Sequence, residues 1–130
     1  MTQITDSEMK TLLKAQQGEL DAVLMYNALA EKAKLPKDQV TFRQLAKEEG
    51  RHAAVFFELT KTPLKGKRTK AILLPILYTC IGRRFLYPLI ARGEYNAVTT
   101  YEPVAERFPE VESVKQDEQR HGDTVMALLK

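Results

Sequence analysis

The sequence predicts an all-α fold, a four-helix bundle of two helical hairpins joined by a long crossover, in a single domain spanning residues 1–130. Three observations predict it. Apolar residues recur at alternating three- and four-residue spacing along four long segments, the mark of helices with one buried face. The links inside the first and last pairs of segments are short, which makes each pair an antiparallel hairpin. The two halves also repeat: residues 18–31 (GELDAVLMYNALAE) and 93–106 (GEYNAVTTYEPVAE) agree at seven of 14 positions, and EEGRHAAV (48–55) pairs with DEQRHGDT (117–124) through acid-Glu-x-Arg-His. Both hairpins therefore follow one plan, related by an approximate twofold axis. A chain of 130 residues is long enough to bury one stable core without staples.

The elements follow in order. The first helix is expected from Asp6 or Ser7, either of which can cap it, to about Lys34, with Pro36 just beyond. The second starts at Lys37 or Asp38 and runs to Leu59, closed by Thr60 and the Thr62-Pro63 pair. The crossover, about residues 60–83, holds a basic stretch (KTPLKGKRTK) and then an apolar one (AILLPILYTCIG) able to form its own short helix. That apolar stretch falls short of the roughly 20 residues a bilayer span needs, and Arg83 and Arg84 divide it from the next apolar run, FLYPLIA. Two readings of it stay open: a helix packed on the bundle, or a membrane-surface or partner-docking segment. The third helix is expected between Arg84 and Arg107, kinked by Pro88 and Pro103. The fourth starts at Pro109, a favoured first-turn residue, and continues to the C-terminus.

Composition excludes several classes. With 44% hydrophobic and 28% charged residues the chain is neither disordered nor collagen-like. The single cysteine, Cys80, excludes an intrachain disulfide and a cysteine-based zinc or iron–sulfur site. A reducing compartment follows, and MTQITDSEMK has no apolar signal core, so a cytoplasmic protein is expected. Between Glu58 and Glu94 there are eight basic residues and no acidic one, in a chain of formal net charge +3, so the rest is net acidic. A basic connection on an acidic body does not read as a nucleic-acid binder. Peripheral membrane contact through Lys61–Ala91 is the open alternative to a purely cytoplasmic protein.

The chemistry lies on the apolar stripes. The second helix gives Phe42, Leu45, Glu49, His52, Phe56 and Leu59, and the fourth gives Val111, Val114, Glu118, His121, Val125 and Leu128. The first gives Leu12, Gln16, Glu19, Val23, Tyr26 and Ala30, and the third Tyr87, Ala91, Glu94, Val98, Tyr101 and Ala105. Every stripe carries a mid-helix Glu, and two add a His three residues later. Burying an ionised carboxylate costs several kcal/mol even after relaxation, and like charges about 5 Å apart add about 3 kcal/mol per pair at an effective dielectric near 20. Two divalent ions cancel four carboxylate charges while the imidazoles fill neutral positions. A Glu from each of two helices with Glu-x-x-His from each of the others is the ligand pattern of carboxylate dimetal bundles. The metal set is therefore Glu19, Glu49, His52, Glu94, Glu118 and His121, and no catalytic residue separate from it is expected.

Tyr26 and Tyr101 each follow a helix Glu by two turns on the same face. Two readings compete for them: ordinary core packing, or a hydrogen bond to a ligating carboxylate of the opposite hairpin. Gln16, one turn before Glu19, either closes the site or caps its polar end. Arg51 and Arg120 are expected to be solvated or paired with Glu48 and Asp117. Met25, Phe57 and Cys80 are expected to be buried, the last in the crossover.

These residues resemble the rubrerythrin branch of the ferritin-like superfamily over nearly the whole chain: Glu19, Glu49-x-x-His52, Glu94 and Glu118-x-x-His121, with Tyr26 and Tyr101 at the usual outer places. The resemblance implies two iron ions per chain, with manganese or a mixed pair fitting the same donors, reaction with O2 or H2O2, and a homodimer. Rubrerythrins usually carry a further Glu three residues after the third-helix ligand and often a rubredoxin domain. Here that position is Ala97 and there is one cysteine, so six ligands and an external electron donor are expected. The expected function is a di-iron oxidoreductase that oxidises Fe(II) or scavenges peroxide. The alternatives are an iron-binding module without turnover, or a membrane-associated hydroxylase similar to the demethoxyubiquinone hydroxylases. The ligand set is equally similar to ferritin-type iron oxidases and to the rubrerythrin-like domains fused to membrane iron transporters.

Overall fold

The computed structural model describes residues 3–130, so Met1 and Thr2 of the N-terminal stretch lie outside it. The helices are α1 (Asp6–Lys32), α2 (Pro36–Thr60), α3 (Thr69–Ile81), α4 (Arg83–Ala105) and α5 (Pro109–Ala127), and the described residues include no strand. This is a ferritin-like helical bundle, with α1 packed on α2, α4 on α5, and the crossover helix α3 lying chiefly against α1.

Local chemistry explains the boundaries. The cap of α1 is Thr5, not Asp6 or Ser7, because Thr5 has a Glu three residues on: its hydroxyl accepts from the Glu8 amide at 3.1 Å and the Glu8 carboxylate accepts from the Thr5 amide at 2.9 Å. Pro36 opens α2 at the position where its missing N–H costs nothing. Lys61, in the left-handed region at φ 56°, ends that helix. Residues 61–68 then lie along α1, tied by Gln17 donating to the Lys65 carbonyl and by the Lys67 amide donating to Asp21. A Cβ on Gly66 would come within 2.9 Å of Leu24 and 3.0 Å of the Leu20 carbonyl oxygen, so only glycine permits this approach. α4 runs unbroken through Pro88 and Pro103. Each proline lies within two turns of an end, where the lost hydrogen bond disturbs least.

The core falls into two apolar parts with a polar belt between them. One gathers Met25, Tyr26, Leu29, Phe42, Leu45, Leu86, Tyr87 and Val125, with the Phe42 ring stacked on Tyr26 and edge-on to Tyr87. The other gathers Leu12, Phe56, Tyr101, Val104, Val111 and Val114. On each of the four long helices the Glu, or the Glu and His, fall between these parts. The charged belt is thus sealed from both ends of the bundle by apolar packing.

A second buried polar group closes one end. Asp38, at the start of α2, accepts from Arg83 Nε at 2.8 Å, Arg83 Nη2 at 3.0 Å and the Tyr87 hydroxyl at 2.6 Å, and Arg83 also donates to the Leu128 carbonyl at 2.7 Å. Asp38 joins the starts of α2 and α4, and Arg83 extends the link to the end of α5. Asp38→Ala strands the Tyr87 hydroxyl and a partly buried guanidinium, at an expected cost of about 2–4 kcal/mol. Urea unfolding measures it, and metal stoichiometry should not change, since Asp38 sits among the apolar residues at the bundle end.

Candidate metal centre

Glu49 and His52 project from α2, and Glu118 and His121 from α5, into the middle of the bundle. One donor atom from each lies within 4.8 Å of the others. The imidazole rings stack at 5.4 Å between centroids. Glu19 from α1 and Glu94 from α4 flank them, and all six side chains are buried.

The contacts divide the six into two overlapping sets. His52 Nδ1 lies 3.2 Å from Glu19, 2.8 Å from Glu49 and 3.1 Å from Glu118. His121 Nδ1 lies 3.3 Å from Glu94, 3.4 Å from Glu49 and 3.3 Å from Glu118. Glu49 and Glu118 belong to both sets, whereas Glu19 and Glu94 belong to one each. Carboxylates and imidazoles thus converge here as a candidate metal-binding site.

The protonation pattern fits a site built for positive charge. Burial works against a charged His52, but the close carboxylates of Glu118, Glu19 and Glu49 hold its pKa up at about 12, and His121 is raised in the same way by Glu118, Glu49 and Glu94. Burial pushes Glu94 up to about 8 against the pull of His121. Burial and the neighbouring Glu49 charge raise Glu19 well above the usual carboxylate range. Burial also opposes ionisation of Glu118, yet His121 and His52 hold it down at about 2.

The hydrogen-bond geometry tests whether a metal fits. Glu19 Oε2, Glu49 Oε2, Glu94 Oε2, Glu118 Oε1 and His121 Nδ1 are buried without a hydrogen-bond partner among the described residues. Glu19 Oε2, Glu118 Oε1 and Glu94 Oε2 meet only imidazole nitrogen, at 3.2, 3.1 and 3.3 Å and without hydrogen-bond alignment, and Glu49 Oε2 meets none. Buried oxygens so poorly satisfied are costly, and all four belong to the predicted ligand set. Carboxylate and imidazole donors suit iron. The residues fit a metal-binding site.

An outer ring orients these donors. The Tyr26 hydroxyl donates to Glu94 at 2.8 Å and the Tyr101 hydroxyl to Glu19 at 3.3 Å, each to a terminal carboxylate of the opposite hairpin. Burial and the adjacent carboxylates keep both phenols protonated, so each remains a donor.

Glu48 and Asp117, expected only as arginine partners, also meet the histidines. His52 Nε2 meets Asp117 at 2.9 Å and His121 Nε2 meets Glu48 at 2.8 Å, so each imidazole is held by the acid that precedes the Glu of the other hairpin's motif. The signal was present, because both repeats read acid-Glu-x-Arg-His. Arg120 joins the pair, at 2.6 Å from Glu48 and 3.3 Å from Asp117, whereas Arg51 is exposed. Carboxylate–histidine partners of this kind typically carry 10–100-fold in metal affinity. Glu48→Gln and Asp117→Asn are expected to lower affinity by that order without changing the number of ions, measurable by competition with a chelating dye.

Gln16 is buried one turn before Glu19, where it donates to the Thr62 carbonyl at 2.8 Å and accepts from the Thr60 hydroxyl at 2.5 Å, tying α1 to the crossover. Two expectations are corrected. Phe57 is 40% exposed, because it sits about 100° around α2 from the buried Phe56. Cys80 is exposed, about 200° around α3 from Tyr78, which with Ala71 forms that helix's buried side. Met25 is buried as expected.

A cavity of about 460 Å³ reaches the centre from outside. Glu19, Glu49, Glu94 and Glu118 lie at its inner end, Leu73, Leu77 and Leu89 form its apolar wall, and Lys14 and Lys70 also line it. Ala97, where the resemblance would place a seventh carboxylate, is part of this lining too.

A family model described as Rubrerythrin matches residues 10–129. No curated protein and no solved structure matches the chain significantly.

Proposed function

The chain belongs to the rubrerythrin family, and from that premise we propose that it is a di-iron oxidoreductase acting on O2 or H2O2, with Glu19, Glu49, His52, Glu94, Glu118 and His121 as ligands. The observation that carries this reading is the sharing of Glu49 and Glu118 between the two sets, with one terminal Glu and one His in each. A ferrous pair held there would supply the two electrons that cleave an O–O bond.

The chain's own residues supply the rest. Glu49 and Glu118 span both positions, Asp117 and Glu48 fix the imidazole planes, and Tyr26 and Tyr101 fix the terminal carboxylates. The apolar parts on either side close the belt toward both ends of the bundle, which leaves the cavity as the way in. Reduction of one peroxide to two waters also consumes two protons, which would reach the centre through the cavity. The 130 residues hold a single cysteine, too few for a thiolate-ligated iron site, so repeated turnover would draw its electrons from a donor outside them.

The test is rapid mixing of anaerobically iron-loaded protein with O2 or with H2O2, in the presence of excess reductant. Consumption of many equivalents of either oxidant per chain supports the proposal, and the faster oxidant identifies the physiological one. A single oxidation with no re-reduction under any donor would make the protein an iron-sequestering module. The apolar wall of the cavity favours, as a second reading, an organic substrate oxidised at the same centre.

A further inference from the structure

The crossover helix leaves an apolar row uncovered. On α3, Ile72 is 60% exposed and Leu73 and Ile76 are also exposed, and across Gly82 the first turns of α4 present Phe85, 68% exposed, and Leu89. Leu73 and Leu89 line the same cavity, so the faces of α3 and α4 adjoin at its mouth. Large exposed aliphatic and aromatic side chains grouped this way mark a surface that something covers.

The charge around the row says what. Lys65, Lys67, Arg68, Lys70 and Arg84 are exposed and belong to no ion pair among the described residues. Lys65, Lys67, Arg68 and Lys70 gather at the N-terminal end of α3 and Arg84 stands at that of α4, ends where the helix dipole disfavours positive charge. α1, α2 and α5 have acidic residues in their first turns, but α3 and α4 have none. The backbone of this segment is fixed on α1 through Lys65 and Lys67, which leaves their side chains facing outward. An external anionic partner relieves the repulsion among these charges.

We propose that the α3–α4 face docks on an anionic lipid surface, with Ile72, Ile76 and Phe85 entering the interface and the lysines and arginines meeting the headgroups. This is how an interfacial helix binds: apolar burial combined with attraction of basic side chains to acidic lipid. A second copy of the chain fits the face less well. A twofold pairing places the same patch on both sides of the interface, and would set these basic groups against one another. Docked in this way, the mouth of the cavity faces the membrane. The proposal does not depend on which metal the centre holds.

The test is flotation of the full-length protein with phosphatidylcholine vesicles, with and without phosphatidylglycerol, at low and high salt. Binding to the anionic vesicles, weakened by salt and at least roughly tenfold weaker for neutral ones, is expected, since each basic residue near such a surface contributes about fivefold. The variant Lys65→Glu/Lys67→Glu/Arg68→Glu/Lys70→Glu should lose binding, and so should Ile72→Ser/Ile76→Ser/Phe85→Ser. Every changed side chain is exposed, and unaltered helical circular dichroism confirms the fold. Equal binding to neutral vesicles, or none to anionic ones at low salt, overturns the proposal. So does a stable dimer in solution that the Ser variant dissociates, since a second copy would then cover the face.

Discussion

Glu118→Ala is expected to abolish stable binding at both metal positions, whereas Glu19→Ala should remove one and spare the other. The difference follows from geometry. Glu118 lies 3.1 Å from the His52 donor and 3.3 Å from the His121 donor, so its loss opens both sets, while Glu19 meets only His52. Glu49→Ala should behave like Glu118→Ala, and Glu94→Ala like Glu19→Ala, as the approximate twofold requires. Each loss should exceed the 10–100-fold assigned to outer partners such as Glu48 and Asp117. Elemental analysis of protein loaded under anaerobic conditions and freed of excess iron distinguishes the two classes directly.

The second large effect is on stability. Without metal, the belt holds four carboxylates and two histidines in which five buried polar atoms lack an aligned hydrogen bond, and metal binding would satisfy them better. A ligand at a thousand times its Kd stabilises by about 4 kcal/mol, which for a domain of this size corresponds to upwards of about 10 °C in Tm. Adding Fe(II) or Mn(II) to metal-free protein should raise Tm by that order, and a strong chelator should reverse it. Binding should also release protons at pH 7, because the metal-free Glu94, with its pKa near 8, is mostly protonated there, His52 is charged, and ligands bind deprotonated. Affinity therefore falls as pH falls. An unchanged Tm with metal, or uptake without proton release in a weakly buffered titration, would count against the site as described.

The bundle was legible because periodicity and repetition are properties of the chain alone. The six proposed ligands were legible because a Glu or His in the middle of an apolar stripe has no other economical explanation. The outer carboxylates were not, although they stand next to the ligands in sequence. Glu48 and Asp117 lie one residue off the stripe, where a lone helix shows them as surface charge, and they acquire a role when each meets the histidine of the opposite hairpin. Asp38 escaped for the same reason: its partners, Arg83 and Tyr87, lie 45 and 49 residues away. Phe57 and Cys80 were misjudged because residue type alone does not fix the helix face a side chain occupies, and α3 buries Ala71 and Tyr78 while leaving Ile72 and Ile76 outside.

A pair of metal positions sharing Glu49 and Glu118 would show itself in an anaerobic Fe(II) titration of metal-free protein. Saturation at two ions per chain, falling to one in Glu19→Ala and below one in Glu118→Ala, is the predicted result. Saturation at one ion or none in the unaltered protein would contradict it.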